Sequence, residues 1–323
     1  MNGLLEKLKK YNISQDRYQE QSQKLIELGF TQEVAGKLII KKSSEKSVNT
    51  LIDYFDMASK FLTHQQMAAL MKHYGGGKNL LSVITHKETL RQRGFSYSAI
   101  VKMAANSGGS KNIESVMAHY DALKKMGFAE PDIVKIAASN GGSKNIESVM
   151  AHYDALQKMG FADQDIVKVA ANGGGSKNIE SIMAHYDSLR KRGFADPDIV
   201  KIADNIGGSK NIDSVMAHYN SLRNRGFADP DIVKMAANNG GSKNIEYVMA
   251  NYNALRKLGF ADPDIVKMAA NIGGTQTIEY IIENQSSIAE SSLSCSDIAT
   301  KCNANSGHAR LKAFLSRKAS VDA

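Results

Sequence analysis

The chain repeats one arrangement of apolar and polar positions along most of its length. In the segment 194–226, a first apolar stripe has the spacing of an amphipathic helix and comprises Ile199, Val200, Ile202 and Ala203. A second stripe with helical spacing comprises Ile212, Val215, Met216, Tyr219 and Leu222. Each segment of this kind therefore predicts two helices, each of which buries one face.

Residues that favour helix ends flank both stripes. We expect Asp196 to cap the first helix, with Pro197 at its first helical position. Gly207–Gly208 cannot continue that helix and should form a tight loop. We expect Ser209 to cap the second helix and Gly226 to end it.

The segment recurs with a period of 33 residues, marked by Phe95, Phe128, Phe161, Phe194, Phe227 and Phe260. The first five of these units carry the letters GGSKNI, whereas the sixth carries GGTQTI. A unit of this size cannot bury two apolar stripes alone, so neighbouring units must stack. The sequence thus predicts an all-α solenoid of 33-residue two-helix repeats.

The array has a uniform middle and degenerate ends, as a capped solenoid requires. Six clear repeats occupy 95–292, and 62–94 is a weaker copy that carries GGGKNL. We interpret 1–61 as an N-terminal cap that includes another degenerate repeat. Residues 293–323 form a truncated C-terminal capping repeat, which begins at Leu293.

Two residues ahead of each Gly-Gly pair vary while their surroundings are constant. They read Asn-Ser, Ser-Asn, Asn-Gly, Asn-Ile, Asn-Asn and Asn-Ile in chain order. Both lie in the predicted inter-helix loop, where a side chain adds nothing to the repeat core. An isoleucine at the tip of a surface loop, found twice, indicates an apolar partner outside the repeat.

Composition narrows the class of partner. The 323 residues include 41 lysines and arginines against 33 acidic residues, for a net charge of +8, and such an excess favours a polyanion. No apolar run is long enough for a transmembrane helix, so we expect no membrane partner. Two cysteines without a Cys/His cluster predict neither a disulfide framework nor a metal site. We find no cofactor motif and no non-repeating catalytic constellation, and we expect neither an enzyme nor a small-molecule substrate.

The repeat FADPDIVKIADNIGGSKNIDSVMAHYNSLRNRG resembles those of the transcription activator-like effectors, and among them the 33-residue TALE-like proteins of Burkholderia. The resemblance covers about 62–292 well and the flanks weakly. It implies a right-handed superhelix that follows the major groove of DNA. One repeat would read one base, in the 5′ to 3′ direction along one strand.

The resemblance also implies separate roles for the two variable residues. The first would bond back to a carbonyl at the end of the first helix and hold the loop, a role that falls to Asn106, Ser139, Asn172, Asn205, Asn238 and Asn271. The second would face the base, a role that falls to Ser107, Asn140, Gly173, Ile206, Asn239 and Ile272. Ser139 departs from the pattern and should hold its loop less firmly.

The chemistry of the second residue can be compared with the base edges of the major groove. Gly173 leaves room for the C5-methyl group of thymine. Ile206 and Ile272 offer neither donor nor acceptor and suit adenine by apolar contact.

Asn140 and Asn239 can donate to a purine N7, so their preference for guanine should be incomplete. Ser107 can reach the same atom and should be the most permissive reader. The expected core target is 5′-(A/N)GTAGA-3′ in double-stranded DNA.

In the weaker repeat and the first five clear repeats, a lysine lies two residues after the Gly-Gly pair, at the start of the second helix, where free amide groups also attract anions. The phosphate-binding residues implied by the resemblance are Lys78, Lys111, Lys144, Lys177, Lys210 and Lys243, with Gln276 in the last clear repeat. Five or six such contacts predict a slope of log affinity against log salt of about −4 to −5. A second lysine column lies on the first helix, where it could widen the positive stripe or only maintain solubility: Lys102, Lys135, Lys168, Lys201, Lys234 and Lys267.

Two other functions fit a helical-repeat scaffold. A reader of RNA would need aromatic or arginine planes on which bases stack, and the variable pairs contain none. A protein-interaction scaffold should vary across its helices rather than at one loop position. We expect a monomer, located in a bacterial cytoplasm or nucleoid, or in a host nucleus if the protein is exported.

Overall fold

The computed structural model describes residues 2–40, 45–73, 75–271, 273–291, 293–303 and 307–319. All regular secondary structure in these ranges is helical. The chain forms two compact units, Met1–Tyr153 and Asp154–Ala323.

The first unit contains the N-terminal helices, the weaker repeat and the first two clear repeats. Its helices are α1 (Asn2–Lys10), α2 (Gln15–Glu27), α3 (Gln32–Ile40), α4 (Glu45–Asp53), α5 (Phe55–Ala58), α6 (His64–Lys72), α7 (Gly76–Gln92), α8 (Tyr97–Ala104), α9 (Ser110–Lys125), α10 (Glu130–Ala137) and most of α11 (Gly142–Lys158). The weaker repeat forms the same short and long helix pair, α6 and α7, as the clear repeats that follow it.

The second unit contains the four remaining clear repeats and the C-terminal helices. After the end of α11 come α12 (Asp163–Ala170), α13 (Gly175–Lys191), α14 (Asp196–Ala203), α15 (Gly208–Asn224), α16 (Asp229–Ala236), α17 (Gly241–Lys257), α18 (Asp262–Ala269), α19 (Gly274–Glu283), α20 (Gln285–Ala289), α21 (Cys295–Cys302) and α22 (Gly307–Ala319). The sixth repeat differs from the others, because its second helix ends at Glu283 and a separate short helix follows.

The clear repeats confirm the all-α helical-repeat solenoid. Each has a first helix of 8 residues, and in the first five repeats the second helix has 16 or 17 residues. Successive second helices of the second unit, α13, α15 and α17, pack against one another. The second apolar stripe is only partly buried. Ile212, Val215 and Leu222 are fully buried, whereas Met216 and Tyr219 are partly exposed to solvent.

The first predicted cap is wrong. Ala195 occupies the N-cap position of α14, and Asp196 lies inside the first turn. The Asp196 carboxylate instead accepts a hydrogen bond from Tyr186 Oη at 3.0 Å, in the long helix of the preceding repeat. The position of Asp196 in the sequence suggested that it caps its own helix. In the structure its carboxylate instead bonds to a side chain of the preceding repeat.

The prediction that Ser209 caps the second helix is also wrong. The prediction that Gly208 lies in the loop before that helix is wrong as well. Helix α15 already begins at Gly208, without a side-chain cap from its own repeat. A Cβ at Gly208 would lie 2.1 Å from the Ala203 carbonyl oxygen. Glycine is therefore required there because the start of α15 nearly touches the end of α14.

Candidate nucleic-acid interface

In the first five clear repeats the variable pair lies in a tight turn between the two helices. The backbone N–H of the second glycine donates to the carbonyl of the first variable residue, for example from Gly208 to Asn205 at 3.0 Å. The same bond closes the other five turns, at Gly109, Gly142, Gly175, Gly241 and Gly274. In the first five clear repeats the second variable residue thus lies within a turn that this bond closes.

The first variable residue is tied to the end of the first helix by its side chain. Asn205 Nδ2 donates to the Lys201 carbonyl at 2.9 Å, and Asn238 Nδ2 donates to the Met235 carbonyl at 2.9 Å. Equivalent bonds are made by Asn106, Asn172 and Asn271. These contacts restrain the backbone that carries the second residue.

Ser139 makes the corresponding contact with a shorter side chain. Its Oγ donates to the Ile136 carbonyl at 2.7 Å and accepts from Asn145 Nδ2 at 2.8 Å. The serine is therefore bonded on both sides, and its turn is closed like the others.

The second variable residue points toward solvent wherever its side chain is described. Ser107, Asn140 and Asn239 are exposed, and Ile206 is 68% exposed. Gly173 presents only backbone. Ile272 lies outside the described residues.

Neighbouring reading positions touch each other in two places. Ser107 Oγ lies 3.5 Å from Asn140 Oδ1, and the backbone N–H of Ile206 donates to Asn239 Oδ1 at 3.3 Å. In both asparagines the amide oxygen faces the preceding repeat. The amide nitrogen bonds to no described residue and can donate to an external acceptor.

The lysines after the Gly-Gly pairs stand exposed in the first turn of the second helix: Lys78, Lys111, Lys144, Lys177, Lys210 and Lys243, with exposed Gln276 in the sixth repeat. None of the six forms an ion pair with a described residue. The same helical turns contain no acidic residue. A cation near the positive end of a helix dipole is unfavourable alone, so these sites would be stabilised by an external anion.

The lysines of the first helix are in a different environment. Four of them lie near the aspartate three positions earlier, at 3.0 Å for Lys168, 3.8 Å for Lys201, 3.5 Å for Lys234 and 3.9 Å for Lys267. This local neutralisation makes the column a weaker candidate for phosphate binding.

Sequence reasoning missed a column of buried asparagines. These are the asparagines of the GGSKNI and GGGKNL motifs, at most 1% exposed: Asn79, Asn112, Asn145, Asn178, Asn211 and Asn244. The signal was present, since an asparagine recurs among the apolar residues of the second helix in the weaker repeat and the first five clear repeats. The sequence alone does not show which atoms a buried asparagine bonds, because its partners lie in another repeat.

Other kinds of site are not found in the described ranges. No group of three histidine, cysteine, aspartate or glutamate side chains there lies close enough to hold a metal ion. None of the described helices has the length and apolar character that crossing a bilayer requires. Comparison with protein-family models gives no match, and neither does a search of curated proteins.

Proposed function

We propose that this chain binds double-stranded DNA in a sequence-specific way, with one repeat for each base, as a member of the TALE-like group that its repeats resemble. The observation that carries the proposal is the variable residue next to the loop-holding residue, in turns that the same backbone bond closes; its side chain is exposed at Ser107, Asn140, Ile206 and Asn239. A turn closed by the same bonds in six repeats supports interchangeable reading residues.

The exposed side chains suit direct contact with base edges in the major groove. Ile206 would contact adenine without a hydrogen bond, and Gly173 would leave space for the thymine methyl group. Asn239 would donate its amide N–H to a purine N7, because its oxygen already accepts a bond from the Ile206 backbone. These contacts support 5′-(A/N)GTAGA-3′ as the target.

Affinity would come from the unpaired lysines at the starts of the second helices. Phosphate contacts orient a protein on DNA and contribute much of the affinity, whereas base contacts carry the sequence preference. The turns present small polar or aliphatic side chains, which do not provide the stacking planes of single-strand readers. A duplex is therefore the better-supported partner.

A selection from randomised duplexes tests the proposal with the wild type, Ile206→Gly and the control Ile206→Val. Ile206→Gly should move the preferred base opposite that repeat from adenine toward thymine, with neighbouring positions unchanged. Ile206→Val keeps an apolar side chain and should keep adenine. Failure to bind duplex at low ionic strength, or preferences that change at every position, would contradict the proposal.

A further inference from the structure

Three buried asparagines of the second unit each reach into the following repeat with both ends of the amide. Asn178 accepts from the Ser209 N–H at 2.9 Å and donates to the Asn205 carbonyl at 3.1 Å. Asn178 Nδ2 also lies 2.9 Å from the Ala203 carbonyl oxygen. One side chain thus contacts the end of α14, the turn and the start of α15.

The next two repeats share this arrangement. Asn211 accepts from the Ser242 N–H at 2.8 Å and donates to the Asn238 carbonyl at 3.1 Å. Asn244 accepts from the Thr275 N–H at 3.0 Å and donates to the Asn271 carbonyl at 3.0 Å.

The two contact points of each asparagine lie on either side of a reading residue. Between Asn205 and Ser209, for example, lie only Ile206 and the two glycines. The acceptor contact also satisfies a first-turn N–H of the long helix, for which its own repeat provides no side-chain cap. The missing cap of α15 is therefore supplied by the repeat before it.

We propose that the buried asparagine of one repeat is a positioning residue for the base read by the next repeat. This inference rests on the proposed function for its consequence at the base, but the clamp itself is a property of the folded protein. Because the asparagine is buried and its contacts are at least partly shielded from water, removing the amide leaves poorly solvated backbone groups without a partner on each side of the reading residue. The turn should then sample other positions, and the base contact should lose selectivity.

Two asparagines of the first unit also make the acceptor contact of the clamp. Asn79 accepts from the Ser110 N–H at 2.9 Å, and Asn112 accepts from the Ser143 N–H at 2.9 Å. The Asn112 amide nitrogen donates instead within its own repeat, to the Met103 carbonyl at 3.0 Å. The base read by Asn140 should accordingly be discriminated less sharply than the one read by Asn239.

The sixth repeat supplies a suitable substitute residue. Thr277 replaces the asparagine, is fully buried, and its Oγ1 has no hydrogen-bond partner in the described part of the chain. Threonine is thus accommodated at this helical position, but without the clamp contacts. Asn178→Thr and Asn211→Thr are therefore variants that should keep the fold.

The test compares base preferences of the two variants with those of the wild type. Asn178→Thr should reduce selectivity about 5-fold at the base opposite Ile206, the factor expected for one net hydrogen bond. The base opposite Gly173, in the repeat that carries the substitution, should be unaffected. Asn211→Thr should reduce selectivity at the next base instead, the one opposite Asn239. Loss at the substituted repeat's own base, or equally at all bases, would overturn the inference.

Amide hydrogen exchange separates failure of the clamp from failure of the proposed function. In Asn178→Thr the Ser209 amide should exchange faster, while the Ser242 amide keeps its wild-type rate. Asn211→Thr should show the reverse. An unchanged Ser209 rate would refute the clamp whether or not the protein binds DNA. Faster exchange in a protein that binds no duplex would support the clamp and reject the proposed function.

Discussion

Tyr219 Oη donates a hydrogen bond to the backbone carbonyl of Arg192, 27 residues earlier, at 2.8 Å. That carbonyl lies at the C-terminal end of the preceding long helix, where carbonyl groups have no hydrogen-bond partner within the helix. The same bond is made by Tyr120, Tyr153, Tyr186 and Tyr252. Asp229 Oδ1 of the following repeat lies 3.1 Å from the same hydroxyl, which shares its one proton between the two acceptors and so contacts the repeats on both sides.

Removing this hydroxyl should destabilise the second unit without altering its core. We expect Tyr219→Phe to lower the free energy of unfolding by about 1 kcal/mol, the usual net value of an intramolecular hydrogen bond. Urea denaturation measures the change. Tyr247→Phe is the matched control, because the Tyr247 hydroxyl bonds to no described residue; an equal loss in both variants would contradict the assignment.

The tyrosines also predict a loss of stability at alkaline pH. Burial, followed by the hydrogen bond to an aspartate, raises the pKa of Tyr186, Tyr219 and Tyr252 above the ordinary value near 10. A raised folded-state pKa favours the protonated form, so this contribution is complete below about pH 10 and is lost as pH rises through the folded pKa. Urea midpoints at pH 9 and 11 should differ less in Tyr219→Phe than in the wild type.

The two glycines of one turn should respond differently to alanine. Gly208→Ala places a methyl group against the Ala203 carbonyl and should cost about 1–3 kcal/mol. Gly207 has φ −122°, and its nearest neighbour to an added Cβ is Asn211 Oδ1 at 3.9 Å. Gly207→Ala should therefore be tolerated. Thermal denaturation of both variants is the measurement, and equal melting temperatures would contradict the close helix approach.

The two lysine columns should differ in the salt dependence of DNA binding. Lys177→Ala removes an unpaired cation and should reduce the magnitude of the log–log salt slope by about 0.9. Lys168→Ala, in the same repeat, removes a lysine that lies 3.0 Å from Asp165 and should change the slope less. Binding to one duplex over a range of salt concentrations measures both; identical slopes would argue against a distinct phosphate-binding column.

The buried cysteine should be chemically inert in the folded protein. Burial raises the pKa of Cys302 to about 11, and the side chain is fully buried. In a Cys295→Ser background, a thiol reagent at pH 8 should therefore react much more slowly with the native protein than with urea-unfolded protein. Comparable rates would show that the thiol is accessible.

The sequence by itself determined the two-helix repeat and its core. Helical spacing at Ile199, Val200 and Ile202 predicts a buried face, and the packing of apolar side chains confirms it. The sequence also identified the variable pair, because these two positions differ between repeats whose surrounding residues are the same. The bases that it reads and the phosphates that the lysines bind stay predictions.

Only the tertiary structure decided which atoms join one repeat to the next. Asp196 and Ser209 look like local caps, yet Asp196 bonds to Tyr186 and the Ser209 N–H bonds to Asn178. Tyr186 and Asn178 both belong to the preceding repeat. The group that Asn178 bonds is the backbone N–H of Ser209, which every residue except proline has, so the sequence gives no sign of this bond. Apolar periodicity reports which face is buried, but the pairing of buried polar atoms depends on how neighbouring helices are placed in space.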